Sequence, residues 1–269
     1  MTALPTRKLE AFRYADIAAL GDVWDALAAP EMLHVAAGEK HQQIWLPTDD
    51  DTQIRRAEIT LAAGASAHIY ALNSASRYGR FELDVTLEDG AHFELNAAII
   101  GDASATLEIV TTVRHIGVAS TSRQMIRNIL GGTATGSYLG KVAVARGAQQ
   151  TDSEQSVKAM LLSRGATANS KPELEIYADD VKCAHGATVG ELDREQLFYA
   201  AARGLDPATA RALLLEGFIG GLWDGLDDDT IRDAASAALR AIAWTPPSAS
   251  PPRSTSAINS PPSPPTGTI

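Results

Sequence analysis

The chain's 269 residues, 45% of them hydrophobic, suffice for a sizeable core in one large domain or two small ones. A formal charge of −10, from 23 Lys and Arg against 33 Asp and Glu, repels phosphate backbones and argues against nucleic acid as a partner. One cysteine rules out an internal disulfide, and with no apolar run of about 18 residues and no signal-peptide core in MTALPTRKLEAFRY, a cytoplasmic protein without a membrane partner is expected.

Residues 1–42 read as a short helical segment. In LEAFRYADIAALGDVWDALA, Leu9, Phe12, Ile17, Leu20, Val23, Trp24 and Leu27 recur near helical spacing, and Gly21 marks a break. From about residue 43 to residue 190 the period becomes two. In RFELDVTLEDGAHFELNAAIIGD, Phe81, Leu83, Val85 and Leu87 alternate with Glu82, Asp84, Thr86 and Glu88, a strand with one buried face that Asp89-Gly90 ends. Turn-like glycines at Gly90, Gly101, Gly117, Gly132, Gly147 and Gly165 follow one another too closely to leave room for a crossover helix between strands.

Two architectures fit this spacing: an antiparallel sandwich or barrel, and a solenoid in which each short strand is one side of a coil. Within the β region Asp-Gly occurs once and Asn-Gly not at all. A row of tight hairpins would call for more of them, which favours the solenoid, although no internal repeat can be read from the letters.

Residues 191–245 return to the helical period. Asp193 with Gln196 forms a capping-box pattern ahead of Leu197, Phe198 and Ala201, and Gly204 closes that helix. Asp206 followed by Pro207 opens a second helix. In DDTIRDAASAALRAIAW, Ile231, Ala235, Ala238, Leu239 and Ile242 make the stripe of a third. Residues 246–269, dominated by Pro, Ser and Thr, cannot bury enough apolar area to offset chain entropy and are expected to be a disordered tail.

Most chemistry-bearing motifs are missing. TGSYLGKV carries Gly140-Lys141, but Thr135 stands where the first P-loop glycine belongs and Val142 where the magnesium-binding hydroxyl belongs, so this chain is not expected to hydrolyse ATP itself. No G-x-G-x-x-G follows a strand, and neither H-E-x-x-H nor G-x-S-x-G occurs. Glu82, Asp84 and Glu88 share one strand face; they read as a solvated surface or, in the rival reading, as the acid/base set of a glycan-cleaving enzyme. His68, His92 and His115 are scattered, as surface or hydrogen-bonded core histidines are.

Cys183 and His185 differ in kind. Two residues apart on a strand, they project to one face, where a thiolate and an imidazole can reach a metal such as iron. The same spacing also fits a buried cysteine beside a turn histidine. Two ligands leave a coordination shell unfilled, so a metal here draws on ligands from elsewhere, including another chain.

These residues lie within PELEIYADDVKCAHGATVG, part of a longer stretch that runs to GLDPATARALLLEGF and back through YLGKVAVARGAQQTDSEQSVKAMLLS. Together with the opening PTRKLEAFRY, the pattern covers most of residues 1–245 and resembles the SufB/SufD family of iron–sulfur cluster assembly scaffolds, KCAHGA being in the style of its SufD branch. The resemblance implies a right-handed parallel β-helix flanked by N-terminal and C-terminal helical segments, in agreement with the solenoid. It implies a non-catalytic subunit that pairs with a SufB-like subunit to form a nascent-cluster site and docks a SufC-like ATPase through its C-terminal helices. By motif position, His185 becomes the iron or cluster ligand and Cys183 an auxiliary thiol. An apolar stripe with Phe218, Ile219, Leu222 and Trp223 is then expected to face the ATPase, or else to pack on the end of this chain's own solenoid. A free-standing β-helix enzyme acting on polysaccharide and a homodimeric SufB-like scaffold are the alternatives.

Overall fold

The computed structural model describes residues 4–24 and 30–242. Leu27 and the tail expected at 246–269 lie outside the described residues. Twelve strands wind into two six-stranded sheets in which every pairing is parallel. One sheet, A, orders β1 (Glu31–Val35), β3 (Thr52–Leu61), β5 (Tyr78–Leu87), β7 (Thr106–His115), β9 (Thr135–Val144) and β11 (Thr167–Ile176). Sheet B orders β12 (Val181–Glu191), β10 (Thr151–Leu161), β8 (Thr121–Leu130), β6 (His92–Gly101), β4 (Ser66–Asn73) and β2 (Lys40–Trp45). Successive strands alternate between the sheets, so each pair is one coil of a parallel β-solenoid, and the sandwich of antiparallel hairpins is not formed.

The core is a set of ladders between the sheets. Leu33, Ile59, Val85, Val113, Val142 and Leu174 occupy one register across all six strands of sheet A. The four central members are at most 1% exposed. Each aliphatic side chain buried in this way contributes about 1.5–3 kcal/mol. The repeat is unreadable in the sequence because coil length drifts: the step from Glu31 to its partner Ala57 is shorter than the step from Thr135 to its partner Thr167.

A recurrent left-handed residue makes the turn from sheet A to sheet B. Gly38, Gly64, Gly90, Ala119 and Gln150 have φ of 72°, 68°, 64°, 55° and 62°. That conformation turns each amide toward the next coil. Gly38, Gly64, Gly90, Ala119 and Gln150 donate to the carbonyls of Ala63, Asp89, Val118, Gln149 and Asp180, each of the first four being the residue just before the next left-handed position. Coil after coil is thus stitched at one corner.

The first strands begin at Glu31, earlier than the boundary at residue 43 that periodicity suggests. β1 is short, and just Leu33 and Val35 are drawn into the interior, so alternation has no room to show. The helix α1 (Ile17–Val23) runs through Gly21 rather than breaking there; Asp16 caps it by accepting from the amides of Ala18 and Ala19. Residues of this N-terminal segment cover the outer face of sheet A, where Ala15, Ala19 and Leu20 bury Tyr78.

At the other end lie α2 (Arg194–Ala202), α3 (Pro207–Gly220) and α4 (Thr230–Ala241), the first two opening on the expected caps. Asp193 accepts from the Glu195 amide, Asp206 from those of Ala208 and Thr209, and Gly204 at φ +87° turns the chain between α2 and α3. α3 and α4 lie on the outer face of sheet B, over Tyr70, Leu72, Ala98, Ile100 and Ile129.

One core ladder carries an intruder. Val35, Leu61, Leu87, His115, Val144 and Ile176 share a register, and His115 is fully buried with its two ring nitrogens on the hydroxyls of Ser120 (2.8 Å) and Ser122 (2.9 Å). Burial pushes the His115 imidazole down to about 4. The unfolded chain binds that proton near pH 6.5 and the folded one does not. Stability from this residue is complete above that pH and is lost as pH falls toward 4, by up to about 3 kcal/mol. Denaturant midpoints measured from about pH 7 to pH 4.5 are expected to fall less steeply in His115→Gln than in the wild type; parallel curves would contradict this.

The corner also makes a test. A Cβ on Gly64 meets nothing within 4 Å, so only its φ opposes a side chain. Gly64→Ala is expected to lower stability by about 1 kcal/mol and Ala119→Gly to raise it by about 0.5 kcal/mol, read from urea unfolding.

Candidate functional site

Among the described residues the solenoid ends on β12, whose one strand neighbour there is β10. The free side of β12 presents a row of backbone donors and acceptors with no further strand on it. Thr151 through Leu161 pair in register with Val181 through Glu191, which places Cys183 on Ser153 and His185 on Gln155. Val181 and Cys183 pack against the core ladders from this last coil, while His185 is exposed. The pair that the spacing singles out therefore stands side by side on one face of an open edge, at the rim of the interior.

The two groups are not chemically equivalent. Burial, and then the Asp152 carboxylate, push the Cys183 thiol up, so it stays protonated at neutral pH, whereas metal ligation and nucleophilic attack need the thiolate. Among the described residues no three or more His, Cys, Asp or Glu side chains are grouped so as to hold a metal ion. Any metal at Cys183 and His185 therefore needs ligands from outside the described residues. The same end of the molecule exposes Ile176 (39%), Tyr177 (62%) and Val189 (54%), apolar side chains that flank the open edge.

Of the two surfaces expected for the helical stripe, a partner or this chain's own solenoid, its side chains meet the second. Ile219, Leu222 and Trp223 are 2–3% exposed and Phe218 is half-buried, all packed in the layer between the helices and sheet B. The stripe is turned to the chain's own sheet, because the outer faces of β4, β6 and β8 are themselves apolar there. The apolar side chains that this segment leaves in solvent are Phe198, Tyr199, Leu205 and Leu213. Tyr199, Leu205 and Leu213 line a cleft between α2 and α3 with Ala200, Ala210 and Leu214.

Two of the three carboxylates of the glycan-cleaving alternative, Glu82 and Asp84, are engaged in ion pairs. Glu82 receives Arg80 at 3.0 Å and Arg56 at 3.3 Å, and Asp84 is paired with Arg114 across the strand. Sequence reading missed a deeper cluster beside them. Arg80, 1% exposed, donates to Glu108, which is fully buried and also receives the Tyr78 hydroxyl at 2.7 Å; the Phe12 ring lies 4.4 Å from the guanidinium. Burial pushes the Glu108 carboxyl up, against the pull of Arg80. An acidic residue at a position where the flanking strand residues are apolar was the only signal for it.

A second buried polar group lies inside the coils beneath the site. Thr111, Gln124, Tyr138 and Gln155 are all at most 1% exposed and hydrogen-bond one another between the sheets.

The architecture is a parallel solenoid with helices laid on both flanks, ending in an open coil that carries one thiol and one imidazole on one face. The family model described as "SUF system FeS cluster assembly, SufBD core domain" matches residues 32–218, and the chain belongs to that family. It is 28% identical to the iron–sulfur cluster assembly protein SufD of Escherichia coli over 223 residues, 82% of this chain and 53% of that protein. It is 29% identical over 131 residues to SufD of Bacillus subtilis, 49% of this chain and 30% of that one. A shorter stretch of 96 residues, 36% of this chain, is 47% identical to the chloroplastic protein ABCI7 of Arabidopsis thaliana, of which it covers 20%. The chain spans about half the length, or less, of these curated relatives. No helix among the described residues is long and apolar enough to cross a membrane.

Proposed function

We propose that this chain is a SufD-like scaffold subunit that, with a SufB-like subunit, holds a nascent iron–sulfur cluster as cargo. His185 supplies an iron ligand where the two solenoids meet, Cys183 is an auxiliary thiol beside it, and the remaining ligands come from the partner. The observation that carries this reading is the open β12 edge, with thiol and imidazole on one face and exposed Ile176, Tyr177 and Val189 around them. An unpaired parallel edge can be extended by a strand from another chain, and such pairing would bring foreign ligands to the side on which His185 lies. The raised Cys183 thiol supports the division of labour, since a thiol must lose its proton before it ligates a metal.

Energy for assembly comes in this reading from a SufC-like ATPase docked on the C-terminal helices. With Phe218, Ile219, Leu222 and Trp223 engaged by sheet B, the docking face is assigned to Phe198, Tyr199, Leu205 and Leu213 around the α2–α3 cleft. The polysaccharide alternative is weakened by the ion pairs that occupy Glu82 and Asp84.

His185→Ala is expected to leave folding intact, since the ring is exposed, and to cut the iron and acid-labile sulfide of the anaerobically purified SufB–SufC–chain complex about tenfold or more. Wild-type loading in the variant would remove His185 from the site. Phe198→Asp combined with Leu213→Asp is expected to weaken retention of the ATPase in pull-downs while circular dichroism and melting stay as in the wild type. Undiminished retention would move the docking face elsewhere.

A further inference from the structure

Two inward rows of sheet B change character as they approach the open end. One runs Phe93, Ser122, Ser153, Cys183 and the other Leu95, Gln124, Gln155, His185. Aliphatic and aromatic side chains fill the same registers in the second and third coils (Ala67, Phe93 and Ile69, Leu95), and polar ones fill the last three, as His41 and Gln43 do in the first. A polar residue at a fully buried inward position costs stability unless every polar atom is paired. Gln155 is 1% exposed, and only half of its amide is paired.

Its Nε2 donates to the Tyr138 hydroxyl at 3.1 Å and to Gln124 Oε1 at 3.3 Å. Gln124 lies on the preceding coil, and its Oε1 also accepts from Tyr138 and Thr111. The Gln155 Nε2 is thus held by Tyr138 of its own coil and by Gln124 of the preceding one, and neither of these bonds uses Oε1. That oxygen is buried and has no hydrogen-bond partner. The residue on the following coil, in direct register with Gln155 and about 4.8 Å away along the sheet, is His185.

We propose that Gln155 is the positioning residue for His185. When the terminal coil is roofed by a partner, Gln155 Oε1 accepts the ring N–H of His185, which holds the imidazole in one tautomer and leaves the lone pair of its other nitrogen facing out of the coil. A metal-binding histidine ordinarily has its second nitrogen held by such an acceptor. The interior network of Thr111, Tyr138 and Gln124 in turn holds the amide in the orientation this requires. This inference rests on the reading of His185 as an iron ligand.

The test uses the full chain labelled with ring-15N histidine, in complex with its SufB-like partner, with His185 assigned by comparison with His185→Ala. Long-range 1H–15N spectra are expected to show a single His185 tautomer in the wild type. Gln155→Met, which keeps the volume and removes both polar arms, is expected to shift His185 toward the tautomer ratio of free imidazole and to lower iron retention about tenfold. Should Gln155→Met fail to fold, Gln155→Thr carries the same comparison with a strand-forming residue too short to reach the ring. An unchanged single tautomer in the folded variant, or a free-imidazole ratio already in the wild type, would overturn the proposal. The two readings fail separately. Normal cluster loading by His185→Ala sinks the ligand assignment whatever the spectra show, whereas impaired loading there with an unmoved tautomer in Gln155→Met sinks only the role of Gln155.

Discussion

In a parallel solenoid each coil's backbone hydrogen bonds are made by the coils above and below it, so the structure has two ends that cannot satisfy themselves. The stitched corner shows how tightly this constraint acts. From Gly38 to Gln150, the chain adopts a left-handed residue once per coil so that its amide reaches the next carbonyl. Even Ala119 and Gln150 accept that conformation, because a buried or paired amide left without an acceptor would cost more than the strained φ. At β12 the series stops, and the last coil presents to its surroundings what every earlier coil presents to a neighbour.

That incompleteness joins fold to chemistry. Inward side chains elsewhere are sealed by the next coil, but Cys183 and His185 are on the final one and stay reachable. A thiol and an imidazole on one face are too few to hold a metal, and the same edge that leaves them open is the edge that a second strand would extend. The interior beneath is correspondingly polar, with the Gln155 amide paired on one side and unpaired on the other. The two flanks of the solenoid are closed differently, by the N-terminal segment over the Arg80–Glu108 pair and by α3 and α4 over sheet B. Both flanks are covered there, and the open coil and the α2–α3 cleft are two of the places that keep apolar groups in solvent, as do Met32, Ile116 and Val118.

Much of this was legible from residue order. The period-two run, the scarcity of Asp-Gly and Asn-Gly, and glycines too close for crossover helices point to a solenoid. The helix caps at Asp193 and Asp206 fall where side-chain chemistry puts them. The Cys183-x-His185 pair was visible because strand geometry alone puts both on one side. Three features were not legible. Coil length drifts along the chain, growing from the Glu31–Ala57 step to the Thr135–Thr167 step, so no repeat survives in the letters. β1 is too short to alternate. The stripe from Phe218 to Trp223 is amphipathic by sequence, but which apolar surface it meets depends on the outer face of sheet B, assembled from strands far earlier in the chain.

By itself the sequence determined local quantities: the period-two run, the caps at Asp193 and Asp206, and that one thiol and one imidazole share a side. These follow from backbone geometry and near-neighbour side chains. Only the tertiary structure decided that this side belongs to the last coil, that Gln155 lies beneath His185 with an oxygen unpaired, that Glu108 is buried under Arg80, and that the C-terminal stripe is consumed by the chain itself. Those are matters of register between segments a full coil or more apart, and register is set by the summed packing of whole coils rather than by any stretch read alone.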